Sequence, residues 1–364
     1  MYHLVRAIKN WKMDLEIAGF TILTWHAYRQ GLLNSRPRYC SAKDLPHSLQ
    51  DYVNEMPEWT RCCPDMRTIF TAAIQENTAF DEPEAPPIKV ENTIDAELTP
   101  PWEFHYSNQM WHSEKVPPPE YKNLVSCNCI GRCDPKSGDC ACAQRQREAL
   151  EDQNADFAYD NRGRLKVDGY PIFECNDLCG CDDDCRNRVV QHGRTCAISI
   201  KKTELKGWGV FAEQKKIYKG AFIGIYAGEL LTEEEGEERG VNYDKFGRTY
   251  LFDIDFHHLH KDSPDWTSKY TVDAYHAGNN HSCDPNCFLN PCYINDGNID
   301  KPLLAVFAAR DIEAGEELCF SYSGDVDEQD DDDDNDDTLD QDRNGLIYSE
   351  CHCGALNCKG RLFR

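Results

Sequence analysis

The chain is acidic and rich in cysteine, and its length suits two or three domains of ~150 residues each. It has 364 residues, 64 acidic side chains against 39 Lys plus Arg, a formal net charge of -25 and 20 cysteines. Nucleic-acid phosphates and anionic membranes are bound by clustered Lys and Arg, so direct sequence-specific DNA binding and membrane binding are not expected. We expect a basic partner instead. Secretory signals and membrane spans need longer apolar runs than this sequence contains.

The N-terminal 87 residues carry the weakest signals. Residues 4–33 have apolar spacing compatible with one long helix or two short ones. Residues 83–87 combine prolines with acids, which predicts a linker. We therefore assign residues 1–87 to a partly helical N-terminal region without a predicted role.

Residues 88–193 contain nine closely spaced cysteines. Their C-x-C and C-x3-C steps are too short for comfortable disulfides, and an odd number would leave one thiol over. The spacing suits thiolates that converge on zinc. Three tetrahedral ions need about twelve ligand positions, which nine thiolates supply if three of them each bridge two ions. The predicted ligands are Cys127, Cys129, Cys133, Cys140, Cys142, Cys175, Cys179, Cys181 and Cys185.

A second zinc site is predicted at the C-terminus. Cys351, Cys353 and Cys358 form a C-x-C-x4-C pattern, which leaves a tetrahedral site one ligand short. Cys283 is the best candidate for the fourth, and this zinc would tie the tail to the central domain. The opposing interpretation is a secreted disulfide protein, which would unfold on reduction and ignore chelators. Seven cysteines remain as expected free thiols: Cys40, Cys62, Cys63, Cys196, Cys287, Cys292 and Cys319.

Residues 194–324 predict a mainly β domain rather than a doubly wound α/β fold. A short helix is expected over residues 232–239, where Thr232 and Glu235 have the spacing of a capping box. Short β-rich runs alternate with turn signals. The predicted strands are 196–200, 208–211, 222–226, 250–254, 270–272, 303–308 and 317–322.

Residues 325–346 are predicted to be a disordered acidic insertion. Twelve acids and no base lie between positions 325 and 342. Charges this dense repel one another and cannot be buried. The segment is either a tolerated insertion or a binding surface for a basic partner.

Several short motifs occur in the order of a SET domain. They are residues 207–211 (GWGVF), 226–229 (YAGE), 250–252 (YLF), 280–286 (NHSCDPN) and 317–322 (ELCFSY). The nine-cysteine block resembles a pre-SET domain, and residues 347–364 resemble a post-SET domain. Together they resemble the Su(var)3-9 class of histone lysine methyltransferases. The resemblance implies several small β-sheets with a knot-like crossing, a three-zinc nine-cysteine cluster and a post-SET zinc site.

The resemblance also implies a function. It is methyl transfer from S-adenosylmethionine to lysine 9 of the histone H3 N-terminal tail, on nuclear chromatin and in heterochromatin. Tyr322 is the implied principal catalytic residue and Tyr226 its partner. Phe320 matches a position where a missing hydroxyl leaves room for second and third methyl groups. The implied cofactor-binding residues are Lys206, Gly207, Trp208, Tyr250, Asn280 and His281, with Leu362 and Phe363 closing the pocket.

One segment departs from the family pattern. Residues 272–279 run directly into Asn280, where the family has about five further residues that form part of the cofactor pocket. The shortening reflects either a misplaced exon boundary or an impaired enzyme. A separate interpretation is that His276 substitutes for the missing basic residue. The alternative function is therefore a catalytically impaired SET protein that acts as a chromatin-binding scaffold.

Overall fold

The computed structural model describes residues 40–42, 53–104, 106–244, 250–260, 267–274, 280–322 and 349–362. Three predicted features lie outside these residues: the helical segment 4–33, the acidic insertion 325–346 and the shortened segment before Asn280. None of the helices described is long and apolar enough to cross a bilayer.

Short strands dominate the described residues, which confirms the mainly β prediction. The helices are α1 (Glu58–Arg61), α2 (Asp65–Asp81), α3 (Ala141–Ala149), α4 (Glu233–Asp244) and α5 (His257–His260), with 3₁₀ turns at Tyr121–Asn123 and Val190–His192. The strands are β1 (Cys40–Ser41), β2 (Lys89–Glu91), β3 (Trp111–His112), β4 (Ile172–Phe173), β5 (Ile198–Lys202), β6 (Trp208–Ala212), β7 (Phe222–Ile225), β8 (Glu229–Thr232), β9 (Leu251–Asp253), β10 (Tyr270–Asp273), β11 (Asn280–His281), β12 (Cys287–Tyr293), β13 (Leu303–Ala308), β14 (Cys319–Phe320), β15 (Ser349–Glu350) and β16 (Arg361–Leu362).

These strands form five small sheets. Their orders are β1-β3-β8-β10-β9, β4-β12-β13-β7, β2-β5-β6, β11-β14 and β15-β16. Strand β13 pairs antiparallel with both β12 and β7, and five of its six residues are buried. A strand with both faces covered is apolar at successive positions, which is why residues 303–308 carry no polar side chain.

The seven predicted strands all overlap observed ones, but β12 was not predicted. It is the longest strand described, and it contains Pro291. Proline is usually excluded from the interior of a sheet because it has no N–H to donate. Strand β4 pairs with β12 only at Cys292 and Tyr293, so Pro291 has a β neighbour on one side alone. The missing N–H at Pro291 is therefore tolerated.

The N-terminal region contributes a helix to the main core. Helix α2 buries Met66, Ile69 and Phe70 in the same apolar cluster as Ile198 and Ile200 of β5. Residues three and four apart share one face of a helix, so this stripe packs against the sheet. The structure therefore makes residues 65–81 part of the folded core rather than a separate appendage.

A fully buried ion pair fastens the end of α2 to the segment before β5. Neither Glu82 nor Arg194 has an exposed side chain, and Arg194 Nε lies 3.5 Å from Glu82 Oε2. The Arg194 backbone N–H donates to Glu82 Oε1 at 2.8 Å, and the Tyr106 hydroxyl donates to Glu82 Oε2 at 2.5 Å. The guanidinium also donates to the Pro86 carbonyl at 2.6 Å. The network holds the predicted linker in place.

Replacing Arg194 with Met should strongly destabilise the protein. The change leaves the Glu82 carboxylate buried without its cation, a situation that costs about 3–5 kcal/mol. We expect the free energy of unfolding in urea to fall by that amount with zinc kept saturating. The control is Lys115→Met, because Lys115 pairs with Glu234 at the surface, where both side chains are exposed and the loss should change little. Equal effects of the two variants would contradict the prediction.

Candidate metal centres and candidate active site

The sulfurs of the nine-cysteine block converge. Sγ–Sγ distances are 3.5 Å for Cys127 and Cys133, and 3.8 Å for Cys133 and Cys175. Four sulfurs at ~2.3 Å from one zinc ion would lie about 3.8 Å apart, so the spacing fits a tetrahedral thiolate site. Three sets of four sulfurs lie within 4.8 Å of one another: Cys127, Cys129, Cys133 and Cys140; Cys127, Cys142, Cys175 and Cys179; Cys127, Cys133, Cys175 and Cys181.

Three sulfurs occur in more than one of these sets. They are Cys127, Cys133 and Cys175, the positions expected of bridging ligands. The ninth cysteine, Cys185, falls outside the sets, but its sulfur contacts those of Cys133 and Cys175. All nine predicted ligands of this block therefore lie in one cluster.

The surroundings of the cluster suit thiolates. Asn187 Nδ2 donates to Cys175 Sγ and Arg188 Nη2 donates to Cys181 Sγ, both at 3.6 Å. Contacts with neighbouring cysteines raise the pKa of Cys175 far above its usual range, so a nearby cation is needed to hold it as a thiolate. None of the nineteen cysteine side chains that the structure describes forms a disulfide.

A second group of four sulfurs joins the C-terminus to the central domain. Cys283, Cys351, Cys353 and Cys358 lie within 4.8 Å of one another. Cys283 Sγ is 3.8 Å from Cys351 Sγ and 4.0 Å from Cys358 Sγ. Asn357 Nδ2 adds a hydrogen bond to the Cys283 carbonyl at 3.2 Å. The structure thus places Cys283 with the three C-terminal cysteines, as the spacing predicts.

The candidate active site is built on the parallel pair β11 and β14. Asn280 lies opposite Cys319 and His281 opposite Phe320. The Ser282 N–H continues the ladder by donating to the Phe320 carbonyl at 3.1 Å. Two motifs that are distant in sequence are therefore adjacent in space.

Aromatic side chains cluster beside this strand pair. The Phe320 ring lies 5.5 Å from Tyr226 and 5.0 Å from Tyr322, and Phe252 lies 5.9 Å from Tyr226. Tyr226 and Phe320 are buried, whereas Tyr322 is 43% exposed. The Tyr226 hydroxyl donates to the Tyr250 carbonyl at 3.4 Å. The three predicted catalytic residues thus form an aromatic cluster that is open at Tyr322.

Both tyrosines keep their hydroxyl protons at neutral pH. Burial, followed by the proximity of Tyr322, raises the pKa of Tyr226 well above its usual value. Burial and the neighbouring Tyr250 likewise raise the pKa of Tyr322. The neutral hydroxyls can orient an amine and solvate a positive charge, but they are poor proton acceptors.

The loop before β6 approaches the same strand pair. Gly207 has a φ of +72°, which closes a turn in which the Thr203 hydroxyl donates to the Gly207 carbonyl at 2.9 Å. The turn directs Lys206 Nζ to an ion pair with Glu317 and to within 3.8 Å of Cys319 Sγ. Glu317 was not among the predicted site residues, although it directly precedes the LCFSY run.

The predicted cofactor residues lie on two sides of the aromatic cluster. Burial and, second, the nearby charge of Lys206 lower the pKa of the His281 imidazole. The Tyr250 carbonyl accepts from the Ala274 N–H at 3.0 Å. Trp208 begins β6, with the Lys202 ammonium 5.6 Å above its ring. The side chains of Asn280 and Leu362, and the whole of Phe363, lie outside the part of the chain that the structure describes.

Two protein families match parts of the chain. The Pre-SET motif matches residues 80–188, and the SET domain matches residues 207–323. An H3 lysine-9 specific histone-lysine N-methyltransferase of Cryptococcus neoformans is 37% identical over 362 residues, covering 82% of this chain and 20% of the relative. The histone-lysine N-methyltransferase SUV39H2 of Xenopus tropicalis is 34% identical over 341 residues, covering 88% of this chain and 73% of the relative.

The chain belongs to the Su(var)3-9 family of SET-domain histone-lysine methyltransferases. The chain spans 20% to 56% of the length of the Cryptococcus relative and three further curated relatives.

Solved structures of SET proteins share the fold of this family member. The Neurospora SET-domain protein DIM-5, a histone lysine methyltransferase, matches with a TM-score of 0.56 and 29% identity, covering 66% of this chain and 97% of that one. KRYPTONITE, solved with DNA, an H3(1-15) peptide and SAH, matches with a TM-score of 0.58 and 26% identity, covering 76% of this chain and 52% of that one.

Replacing Cys133 with Ser should remove more than one zinc ion per chain. Its sulfur belongs to two of the four-sulfur sets, whereas Cys129 belongs to one. We therefore expect elemental analysis of the purified variants to show a larger loss for Cys133→Ser than for Cys129→Ser. Cys62→Ser is the control, because this thiol is exposed and lies in no set. A Cys133→Ser variant with full zinc content would contradict the bridging arrangement.

Proposed function

We propose that this chain is an S-adenosylmethionine-dependent methyltransferase specific for lysine 9 of histone H3. The observation that carries the proposal is the aromatic cluster of Tyr226, Phe320 and Tyr322, held beside the NHSC strand. Two relatives bear names with this specificity, and KRYPTONITE has been solved with an H3 peptide and SAH. The proposed setting is nuclear chromatin, with heterochromatin as the finer assignment.

The residues of the cluster suit the demands of the reaction. A lysine amine has a pKa near 10.4, so its deprotonation at pH 7 costs about 4.6 kcal/mol. Buried aromatic rings desolvate the ammonium and favour its neutral form. The Tyr226 and Tyr322 hydroxyls orient the nitrogen for displacement. When bound, S-adenosylmethionine supplies the methyl group on a positively charged sulfur.

The residues fit that cofactor in charge and shape. Neutral tyrosine oxygens and ring faces attract a sulfonium without forming a competing ion pair. The Gly207 turn lets the Lys206 side chain reach Glu317 and Cys319 at the β14 end of the cluster. We assign Lys206, Gly207, Trp208, Tyr250, Asn280 and His281 to cofactor binding.

Four zinc ions are proposed, all of them structural. In the nine-cysteine cluster, Cys127, Cys133 and Cys175 would each bridge two ions. The outer ligand pairs would be Cys129 with Cys140, Cys142 with Cys179, and Cys181 with Cys185. The fourth ion would be held by Cys283, Cys351, Cys353 and Cys358. Four-thiolate sites leave no open coordination position, so the metals order the loops and take no part in chemistry.

The chain's excess of acids supports a basic substrate. A net charge of -25 attracts a Lys- and Arg-rich histone tail over long range. The same charge disfavours a grip on DNA phosphates. We therefore propose the H3 tail, presented on chromatin, as the partner that this chain contacts directly.

A measurement of methyltransferase activity distinguishes the proposed enzyme from the scaffold alternative. It rests on the five residues that the chain lacks before Asn280 relative to the family pattern. Purified full-length protein should be incubated with S-adenosylmethionine and an H3 tail peptide, and the product read by mass spectrometry. Methyl groups on lysine 9 are the expected result. An unmodified peptide, from protein with its full zinc content, would favour the scaffold.

Tyr322→Phe should reduce kcat by about 100-fold, because the hydroxyl that orients the amine is lost while the ring remains. The matched control is Tyr218→Phe, which removes an exposed hydroxyl away from the cluster and should leave kcat unchanged. Zinc content should be the same in both variants. A Tyr322→Phe variant with wild-type kcat would show that another group positions the amine.

Phe320→Tyr should limit the product to monomethyl-lysine. The added hydroxyl would occupy space beside Tyr226 and Tyr322 that the growing methylammonium requires. Wild-type protein is expected to give di- and trimethylated peptide in the same mass-spectrometric assay. Exclusive monomethylation by the wild type would refute the role assigned to Phe320.

A further inference from the structure

His281 makes two ring contacts in addition to its proposed part in cofactor binding. Its Nδ1 lies 3.1 Å from the backbone N–H of Tyr322, and its Nε2 lies 3.3 Å from Cys283 Sγ. The side chain is 8% exposed, and its ring packs edge-on against Tyr322 at 5.2 Å. One imidazole therefore connects a predicted zinc ligand with the predicted catalytic tyrosine.

The direction of both hydrogen bonds follows from their partners. A backbone N–H can only donate, so Nδ1 of His281 must be the unprotonated acceptor. The proton of the neutral ring then resides on Nε2. A metal-bound Cys283 is a thiolate and can only accept, so the Nε2–H donates to it. Both ends are satisfied by a single tautomer.

The two hydrogen bonds of the His281 ring hold a part of the chain that the pairing of β11 with β14 does not hold. Residues 280–282 are already tied to β14 by its ladder, including the Ser282 N–H bond to the Phe320 carbonyl. That ladder ends before Tyr322. The Tyr322 backbone is held instead by the His281 ring, whose angle depends on where Cys283 lies. The position of Cys283 is in turn defined by the four-sulfur group.

We propose that His281 is a positioning residue that couples the C-terminal zinc site to the catalytic tyrosine. The Nε2–H bond to the Cys283 thiolate fixes the ring, and Nδ1 then fixes the backbone of Tyr322. The inference rests on the proposed function, since it requires zinc at this site and methyl transfer at Tyr322. It adds that zinc at the tail determines the orientation of the amine-positioning hydroxyl.

Two amide substitutions separate the two bonds. The shorter side chain of His281→Asn places an acceptor near the Nδ1 position but does not reach Cys283. The longer side chain of His281→Gln places a donor near the Nε2 position but leaves Tyr322 without its acceptor. His258→Asn is the matched control, because the His258 ring bonds Tyr293 and packs beside Phe256 rather than against Cys283 or Tyr322. All variants are made in the full chain.

The two variants should fail in opposite ways. For His281→Asn, we expect transfer of one zinc ion to a competing chelator to be 10–100-fold faster, and kcat at saturating zinc to be higher than that of His281→Gln. For His281→Gln, we expect normal zinc transfer and a kcat about 10–100-fold lower, with little change in peptide KM. The control should match the wild type in both measurements. Parallel loss of both properties in both variants, or no loss in either, would overturn the proposal.

A spectroscopic measurement is independent of activity. Two-bond ¹H–¹⁵N spectra of zinc-loaded protein should show the His281 proton on Nε2, assigned by its disappearance in His281→Asn. A proton on Nδ1 would overturn the coupling. If the wild type binds zinc but does not methylate the peptide, the proposed function and the catalytic half of this inference fail. The tautomer and zinc-transfer results then still decide the contact with Cys283.

Discussion

Sulfur atoms held at contact distance are the constraint on which the rest of this structure depends. The segment between Cys127 and Cys185 is polar, and its buried cluster consists of the cysteines with little more than Ala143 and Phe157. Such a cluster buries too little apolar surface to fold alone. Metal–thiolate bonds would replace the missing core, because binding free energy at a structural zinc site is folding free energy. Zinc at this cluster would therefore be an internal part of the fold.

The central sheet connects this cluster with the candidate active site. Cys175 lies two residues beyond the end of β4, and β4 pairs with the end of β12 at Cys292 and Tyr293. Before the start of β12, the Asn286 side chain accepts from the Cys319 N–H at 2.9 Å and donates to the Glu317 carbonyl at 2.8 Å. One strand thus spans from the zinc cluster to β14. A displacement of the sulfurs would therefore be transmitted to the tyrosines through a strand rather than through a loop.

Local patterns were predictable from the sequence, whereas contacts between distant segments were not. The Thr232–Glu235 capping box is confirmed, since the Thr232 N–H donates to Glu235 Oε2 at 3.0 Å. It was predictable because the whole motif lies within four consecutive residues. Strand β12 was missed because Pro291 lowers the strand propensity, and only its pairing with β13 compensates. The Glu82–Arg194 pair joins residues 112 positions apart, which no local pattern can reveal. The Cys283 placement was accessible only because ligand counting leaves one tetrahedral position open.

The net negative charge acts on a basic partner over long range rather than through acids at the candidate active site. Acids near the candidate active site are already satisfied within the fold. Arg239 bonds Asp273 at 2.6 Å and Glu229 at 2.5 Å, and Glu235 accepts from the Ser113 hydroxyl at 2.7 Å. These carboxylates hold α4 against β8 and β10 and are not available to bind a basic tail. The attraction for a histone must then come from the long-range excess of acids, which accelerates encounter and weakens with salt. A lysine side chain, by contrast, would be received by the neutral aromatic cluster through its shape rather than its charge.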